Sequence, residues 1–133
     1  FLGCSFTSLP YGKSFRQYYP GNVTASDIVA YVQDDPDVLF KVAVVTAYNS
    51  TTISYVNRSA VGNNAVLAQN AGNNINGDSG VAVTSAVNTT STWPVRVIDV
   101  VPETAIAGYP GSYTEVIVKW NQGMHQYLNP LGV

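Results

Sequence analysis

The fold class is decided by one stretch near the end of the sequence, Tyr113-Thr-Glu-Val-Ile-Val-Lys-Trp120. Its apolar side chains Val116, Val118 and Trp120 recur at every second position, and the charged Lys119 falls between them. Successive side chains of an extended chain point to opposite faces, whereas a helix repeats its apolar face every three or four residues. The stretch therefore predicts a β-strand with one buried face and one polar face.

Five more segments of the sequence are also predicted to be β-strands. Residues 95–101 form an apolar run that only Arg96 and Asp99 interrupt. Residues 38–45 are rich in β-branched side chains and carry a single charge, so we expect a central strand that is covered on both faces. Three shorter candidates are residues 28–33, 52–56 and 80–85.

Turn-forming residues separate these segments. Asp34-Asp-Pro-Asp37 follows the first short strand, and proline lacks the backbone N–H that a strand interior needs. Residues 70–78 are rich in Asn and Gly and predict a loop. A helix is an alternative only over residues 59–69, where Gly62-Asn-Asn64 argues against it. About six strands separated by such turns predict an all-β fold, an antiparallel β-sandwich or barrel.

The length of the chain bounds its domain organisation. A chain of 133 residues is of common single-domain size, so we expect one β domain over residues 1–133. Because the sequence starts at Phe1 rather than at a methionine, we expect an upstream N-terminal segment in a longer chain. Residues 121–133 have no strand or helix periodicity, and we interpret them as a C-terminal docking tail.

The composition limits the classes of partner. Charged residues make up 11% of the chain, against about 25% in a typical globular domain, which predicts a surface that lies partly against a neighbouring molecule. The six basic residues are scattered, so we expect no nucleic-acid partner. No apolar run reaches the roughly 18 residues of a membrane span, so we expect no membrane partner. Cys4 is the only cysteine, which excludes a disulfide within the chain.

Residue types that carry chemistry are too few here for an active site. Gly77-Asp78-Ser79-Gly80 resembles the nucleophile segment of trypsin-like proteases, but the only histidine, His125, comes after Ser79 rather than before it. We interpret the segment as a hairpin turn. The acidic turn 34–37 is interpreted as turn capping, with a weak cation site as the alternative. We therefore expect a protein with no catalytic activity, no cofactor and no bound metal.

Aromatic and apolar side chains are the candidates for contact with a partner. We expect the partner interface to include Tyr18, Tyr19, Trp93, His125, Tyr127, Leu128 and Leu131. The tail supplies the last four, and its apolar composition is unsuited to a solvated segment. The alternative is a carbohydrate-binding or adhesin-type β-sandwich. In that alternative, Trp93, Trp120 and the tyrosines would stack on sugars, and the Asn-rich loop would supply hydrogen bonds.

The order of several short segments resembles the head decoration or cement proteins of tailed phages, a family common in phages of marine bacteria and cyanobacteria. The segments that carry the resemblance are Ile28-Val-Ala-Tyr-Val-Gln-Asp-Asp-Pro-Asp-Val-Leu-Phe-Lys-Val42, Val61-Gly-Asn-Asn-Ala65, Asn76-Gly-Asp-Ser-Gly80, Val95-Arg-Val-Ile-Asp-Val-Val101, Thr114-Glu-Val-Ile-Val-Lys119, and His125 with Gly132-Val133. One departure is that the family's Asn-x-His near the end is two residues longer here, Asn121-Gln-Gly-Met-His125.

The resemblance implies that the protein has a structural role and no catalytic one. It implies an accessory protein that is made in the cytoplasm of a host bacterium, binds the outer surface of the assembled capsid and stabilises it. The implied partners are the major capsid protein and further copies of the chain, with a trimer as the first expectation.

Overall fold

The computed structural model describes residues 1–8, 11–104 and 114–121. Within these residues the chain forms eight β-strands and one 3-10 helix, Arg58–Ala60, and no α-helix. The strands in chain order are β1 (Gly3–Ser8), β2 (Gly12–Arg16), β3 (Val29–Tyr31), β4 (Phe40–Val45), β5 (Asn64–Gln69), β6 (Val81–Asn88), β7 (Val95–Val100) and β8 (Glu115–Trp120). The all-β prediction is confirmed.

The chain divides into two compact units. The first consists of Phe1–Asp34 and Ala71–Gly80, and the second of Asp35–Asn70 with the described residues from Val81 onward. The connection between β5 and β6 thus belongs to a different unit from the strands that it joins. The expectation of one domain over residues 1–133 stays a prediction, because compact units occur within single domains as well as between domains.

Three strands form an antiparallel sheet in the first unit, in the order β2-β1-β3. On one face, Cys4 and Phe6 of β1 are buried to within a few per cent of their surface. On the other face, Ser5 lies opposite Phe15 of β2 and Val29 of β3. The sequence pattern did not single out β1 and β2, because both are short. β1 alternates only Cys4 and Phe6 with Ser5 and Thr7, and β2 has Phe15 as its one large apolar side chain.

Five strands close into a barrel in the second unit, in the order β4-β6-β5-β7-β8. The described pairs are antiparallel except β4 with β6, which run parallel and place Val44 beside Val83. Of the two predicted architectures, sandwich and barrel, these five strands therefore form the barrel. Its one parallel pair was not indicated by the sequence pattern. Register shifts in β5 and β7 are irregularities of the kind that bend strands around a small barrel.

Short β-branched side chains fill the interior of this barrel. The core cluster consists of Val44, Val56, Ala60, Ala65, Val83, Val95, Val97, Val100, Val116 and Val118. Such side chains suit a barrel of five strands, because a barrel with few strands is narrow and leaves room only for small groups. Phe40 and Trp120 pack against the cluster, and their ring centroids lie 6.0 Å apart. The face predicted for β8 is confirmed, since Val116 and Val118 are buried.

Two local expectations are corrected by the structure. Residues 52–56 form no strand and contribute only one bridge, from Ile53 to Val45. Residues 38–45 are covered on both faces only at Val44 and Val45, while Leu39 is 54% exposed. The reason lies in the pairing: β6 joins β4 only at Val44 and Val45, so the first half of β4 has a neighbour, β8, on one side alone.

Candidate functional site

A cavity of about 410 Å³ lies in the first unit, where the segment 17–19 meets the Asn-rich loop. Its lining includes three aromatic side chains, three amide side chains and one carboxylate. These residues are Phe1, Gln17, Tyr18, Tyr19, Asn73, Asn74 and Asp78. Mixed aromatic and polar linings are typical of small-molecule sites, in which apolar surface supplies affinity and a few polar groups fix orientation. This cavity is the candidate functional site.

Gly77 lets the ring of Tyr18 lie directly against the loop. A methyl group at Gly77 would lie only 2.9 Å from Tyr18 Cγ, closer than carbon atoms of side chains approach each other. The φ of Gly77 is +78°, which glycine adopts at little cost. The Asn-Gly pair of the sequence therefore marks a close contact with an aromatic ring as well as a turn.

Hydrogen bonds within the loop hold its polar side chains in place. The Asn73 backbone N–H donates to the Asp78 carbonyl at 2.9 Å, and the Gly77 N–H donates to the Asn73 carbonyl at 2.8 Å. Asn73 Oδ1 accepts from the Ile75 N–H at 2.8 Å, and the Asn76 amide donates to the Asp78 carboxylate. The loop is thus closed on itself before any ligand arrives.

A second and larger cavity, of about 780 Å³, lies beside β1 in the same unit. Its one acidic side chain, Asp27, is already bound on both oxygens by Thr7: Oδ2 accepts from Thr7 Oγ1 at 2.6 Å and Oδ1 from the Thr7 N–H at 2.9 Å. The Thr7 hydroxyl, followed by the Thr7 N–H, holds the pKa of Asp27 below its ordinary value. These bonds fasten the segment around Asp27 to β1, which is a structural use of the carboxylate.

The sheet of the first unit has an exposed apolar face, here called the aromatic face, formed by Phe15, Val29 and Tyr31. Their exposed fractions are 62%, 45% and 43%. The rings of Phe15 and Tyr31 have centroids 5.8 Å apart, and both reach across the small residues of β1. The sequence pattern did not single out this face; the one indication was that Val29 and Tyr31 lie two residues apart in the predicted strand 28–33.

The structure brings two of the predicted interface residues together. Tyr18 and Tyr19 both line the cavity with the Asn-rich loop, whereas Trp93 belongs to the second unit and is half-buried. Trp120 packs its ring edge-to-face on Phe40 and against the barrel core, so it is a packing residue rather than an open stacking plane. The remaining predicted residues, His125, Tyr127, Leu128 and Leu131, lie outside the described residues.

The acidic turn is held by capping bonds. The Asp37 N–H donates to Asp35 Oδ1 at 2.9 Å, and Asp37 Oδ1 accepts from Lys119 Nζ at 2.6 Å. The strands on either side do not pair with each other, because β3 pairs with β1 while β4 pairs with β6 and β8. Nowhere in residues 1–8, 11–104 and 114–121 do three or more His, Cys, Asp or Glu side chains meet as a metal site would require.

The part of the chain that the structure describes contains no helix long and apolar enough to cross a membrane. Comparison with known proteins finds no family model, no curated protein and no solved structure that matches the chain.

Proposed function

We propose that this chain is an accessory structural protein of a tailed-phage virion, which binds the outer surface of the assembled capsid and stabilises it. In this proposal the chain has no catalytic role, its partners are the major capsid protein and further copies of itself, and a trimer is the first oligomer to test. The resemblance of its segments to head decoration proteins motivates the proposal, and the aromatic face supports it.

The aromatic face is the observation that carries the proposal. Phe15, Val29 and Tyr31 present apolar surface side by side on one side of a sheet, and such surface is stabilised when a partner removes it from water. Among the described strands, β2 and β3 each pair with β1 alone, so both edges of the sheet have backbone groups that can extend it. An accessory protein that must attach to a preformed shell needs a surface of this kind. We propose that the capsid protein covers the aromatic face.

The charged residues agree with a protein that attaches through apolar contacts. Three basic side chains of the second unit form ion pairs with acids: Lys41 with Glu115 at 2.9 Å, Arg58 with Asp99 at 3.4 Å, and Lys119 with Asp37 at 2.6 Å. These pairs are largely exposed and each contributes about 0–1 kcal/mol. Two of the pairs use acid or base side chains of β8, Glu115 and Lys119, and a chain with 11% charged residues has little left for electrostatic attachment.

Two measurements test the proposal. Quantitative mass spectrometry of purified phage particles should find the chain in many copies, in a fixed ratio to the major capsid protein. In a binding assay with heads that lack the chain, Phe15→Lys and Val29→Lys should each reduce occupancy, because both place a charge on the aromatic face. Tyr11→Lys is the matched control, since Tyr11 is 87% exposed and lies in the turn between β1 and β2 rather than among the three residues that form that face.

Circular dichroism and thermal unfolding of the variants separate lost binding from lost folding. If particles contain none of the chain, or if folded Phe15→Lys and Val29→Lys proteins occupy heads as fully as the unchanged protein, the proposal is wrong. A truncation of residues 127–133 tests the docking tail in the same assay. We expect a folded protein that no longer occupies heads or no longer forms its oligomer.

A further inference from the structure

We infer that the cavity lined by Tyr18, Tyr19 and the Asn-rich loop binds a neutral saccharide. The inference rests on the chemistry of the cavity lining and does not depend on the virion role. A protein that attaches to a capsid through its aromatic face can hold a sugar in this cavity, and a protein with no virion role can do so as well.

Aromatic rings in the lining provide the stacking surface that sugars need. The pyranose ring has faces of C–H groups, which pack on aromatic planes in the same way as other apolar surface. Tyr19 is 47% exposed and lines the cavity beside Tyr18, whose ring is held against Gly77. One tyrosine is therefore buttressed by the loop, and its neighbour is open to a ligand.

Amide side chains in the lining match the hydroxyl groups of a sugar. A hydroxyl group both donates and accepts hydrogen bonds, and Asn and Gln side chains offer both partners in one plane. Asn73, Asn74 and Gln17 all line the cavity, together with the carboxylate of Asp78, which accepts only. Such a set binds polyhydroxylated ligands better than it binds a hydrocarbon.

The charge of the lining selects a neutral ligand. None of the described residues that line the cavity is lysine, arginine or histidine, and Asp78 brings a negative charge. A phosphate, sulfate or carboxylate ligand would be repelled by Asp78, and no cationic side chain of the lining offsets that repulsion. The volume of about 410 Å³ falls within the range of about 300–1,000 Å³ that small-molecule sites have.

The internal bonds of the loop favour binding because they order it in advance. The Asn73 N–H to Asp78 carbonyl bond and the Gly77 N–H to Asn73 carbonyl bond close the loop without a ligand. A loop that is already ordered loses less conformational entropy when a ligand binds. The larger cavity beside β1 lacks this combination, since Thr7 already occupies both oxygens of its one carboxylate, Asp27.

Titration of the full chain with sugars tests the inference. The neutral probes are glucose, galactose, mannose and N-acetylglucosamine, with their short oligomers. The anionic probes are glucuronic acid and sialic acid. Binding of each sugar is followed by the amide chemical shifts of the protein in NMR spectra. We expect at least one neutral sugar to shift the amides of Tyr18, Tyr19, Asn73, Asn74 and Gly77 together, with the anionic sugars binding more weakly.

Two variants and one control locate the site. Tyr19→Ala should weaken binding of that sugar roughly two- to tenfold, from the loss of stacking, and Asn74→Ala should weaken it by a similar factor. Tyr11→Ala removes an exposed aromatic residue outside the cavity and should leave the affinity unchanged. If no neutral sugar shifts these amides at tens of millimolar, if anionic sugars bind more tightly, or if folded Tyr19→Ala and Asn74→Ala proteins bind as before, the inference is wrong.

Discussion

The backbone N–H of Val56 donates a hydrogen bond to Thr114 Oγ1 at 3.2 Å, although 58 residues separate the two along the chain. Thr114 is completely buried, and its backbone also donates to the Ser54 carbonyl at 3.1 Å and accepts from the Val44 N–H at 2.9 Å. Thr114 thus fastens the non-strand segment 52–56 to the barrel, through its side chain at Val56 and through its backbone at Ser54.

Removal of this hydroxyl should destabilise the barrel. Thr114→Val keeps the shape but leaves the Val56 N–H without its acceptor, so we expect a loss of about 1–3 kcal/mol in the free energy of unfolding. Thr114→Ser keeps the hydroxyl and serves as the control. Hydrogen exchange of the Val56 amide distinguishes the two: it should accelerate in Thr114→Val and stay protected in Thr114→Ser. Equal protection in both variants would contradict the assignment.

Gly3 should tolerate no side chain. A methyl group there would lie 2.6 Å from both Phe15 Cζ and the Arg16 carbonyl oxygen, and the φ of Gly3 is +151°. We expect Gly3→Ala to lower the free energy of unfolding by about 1–3 kcal/mol through this overlap. Gly12→Ala is the control in the same hairpin, since its φ is +78° but nothing lies within 4 Å of an added methyl group. A denaturant titration in which Gly3→Ala is no less stable than Gly12→Ala would refute the clash.

Asp27 should make the first unit sensitive to acid. Because the bonds from Thr7 lower the pKa of Asp27, the folded state binds its proton less readily than the unfolded state does. The resulting stabilisation is present above the ordinary aspartate pKa of about 3.9 and is lost as the pH falls through the lower pKa of the folded state. NMR titration of the Asp27 carboxyl should show this lowered pKa. In Thr7→Val it should rise toward the ordinary value but not reach it, since the backbone N–H still donates.

An ordinary pKa for Asp27 in the unchanged protein would contradict the two bonds from Thr7. Thr7→Ser, which retains a hydroxyl group, is the matched control and should keep the pKa lowered.

Pro36 should contribute stability and not chemistry. Its ring is buried in the turn that the Asp35 side chain caps, and Pro36→Ala enlarges the set of unfolded conformations. We expect a loss of about 1 kcal/mol, measured by thermal unfolding, with no change in binding of Ca²⁺. Asp35→Asn retains an acceptor oxygen for the Asp37 N–H and should leave the stability nearly unchanged. Unaltered stability of Pro36→Ala together with lost Ca²⁺ binding would favour a cation site at this turn.

The apolar patterns of the sequence predicted some strands and missed others. Residues 113–120 alternate apolar with other side chains and contain β8, and the apolar run 95–101 contains β7. Residues 64–69 have Ala, Leu and Gln, which favour helices, yet they form β5 because β6 and β7 pair with them on both sides. Pairing partners are distant in the sequence, so no local pattern reports them.

The candidate site shows the same division. The sequence shows Tyr18 and Tyr19 as an aromatic segment and residues 70–78 as a polar one, but fifty residues lie between Tyr19 and Asn70. Their meeting depends on the loop 71–80 joining the first unit rather than the barrel whose strands it connects. The room for a tyrosine ring at Gly77 could be recognised only after that placement was known.

The sequence by itself determined the all-β class and the strands of the barrel that alternate apolar with polar residues, because that alternation needs only the geometry of an extended chain. The tertiary structure alone decided the parallel pairing of β4 with β6, the three-stranded sheet with its aromatic face, and the cavity beside Tyr18. These features arise from contacts between residues far apart in the chain. Such contacts depend on which apolar surfaces of the strands are still exposed to water after the strands have formed, and a local sequence pattern does not report this.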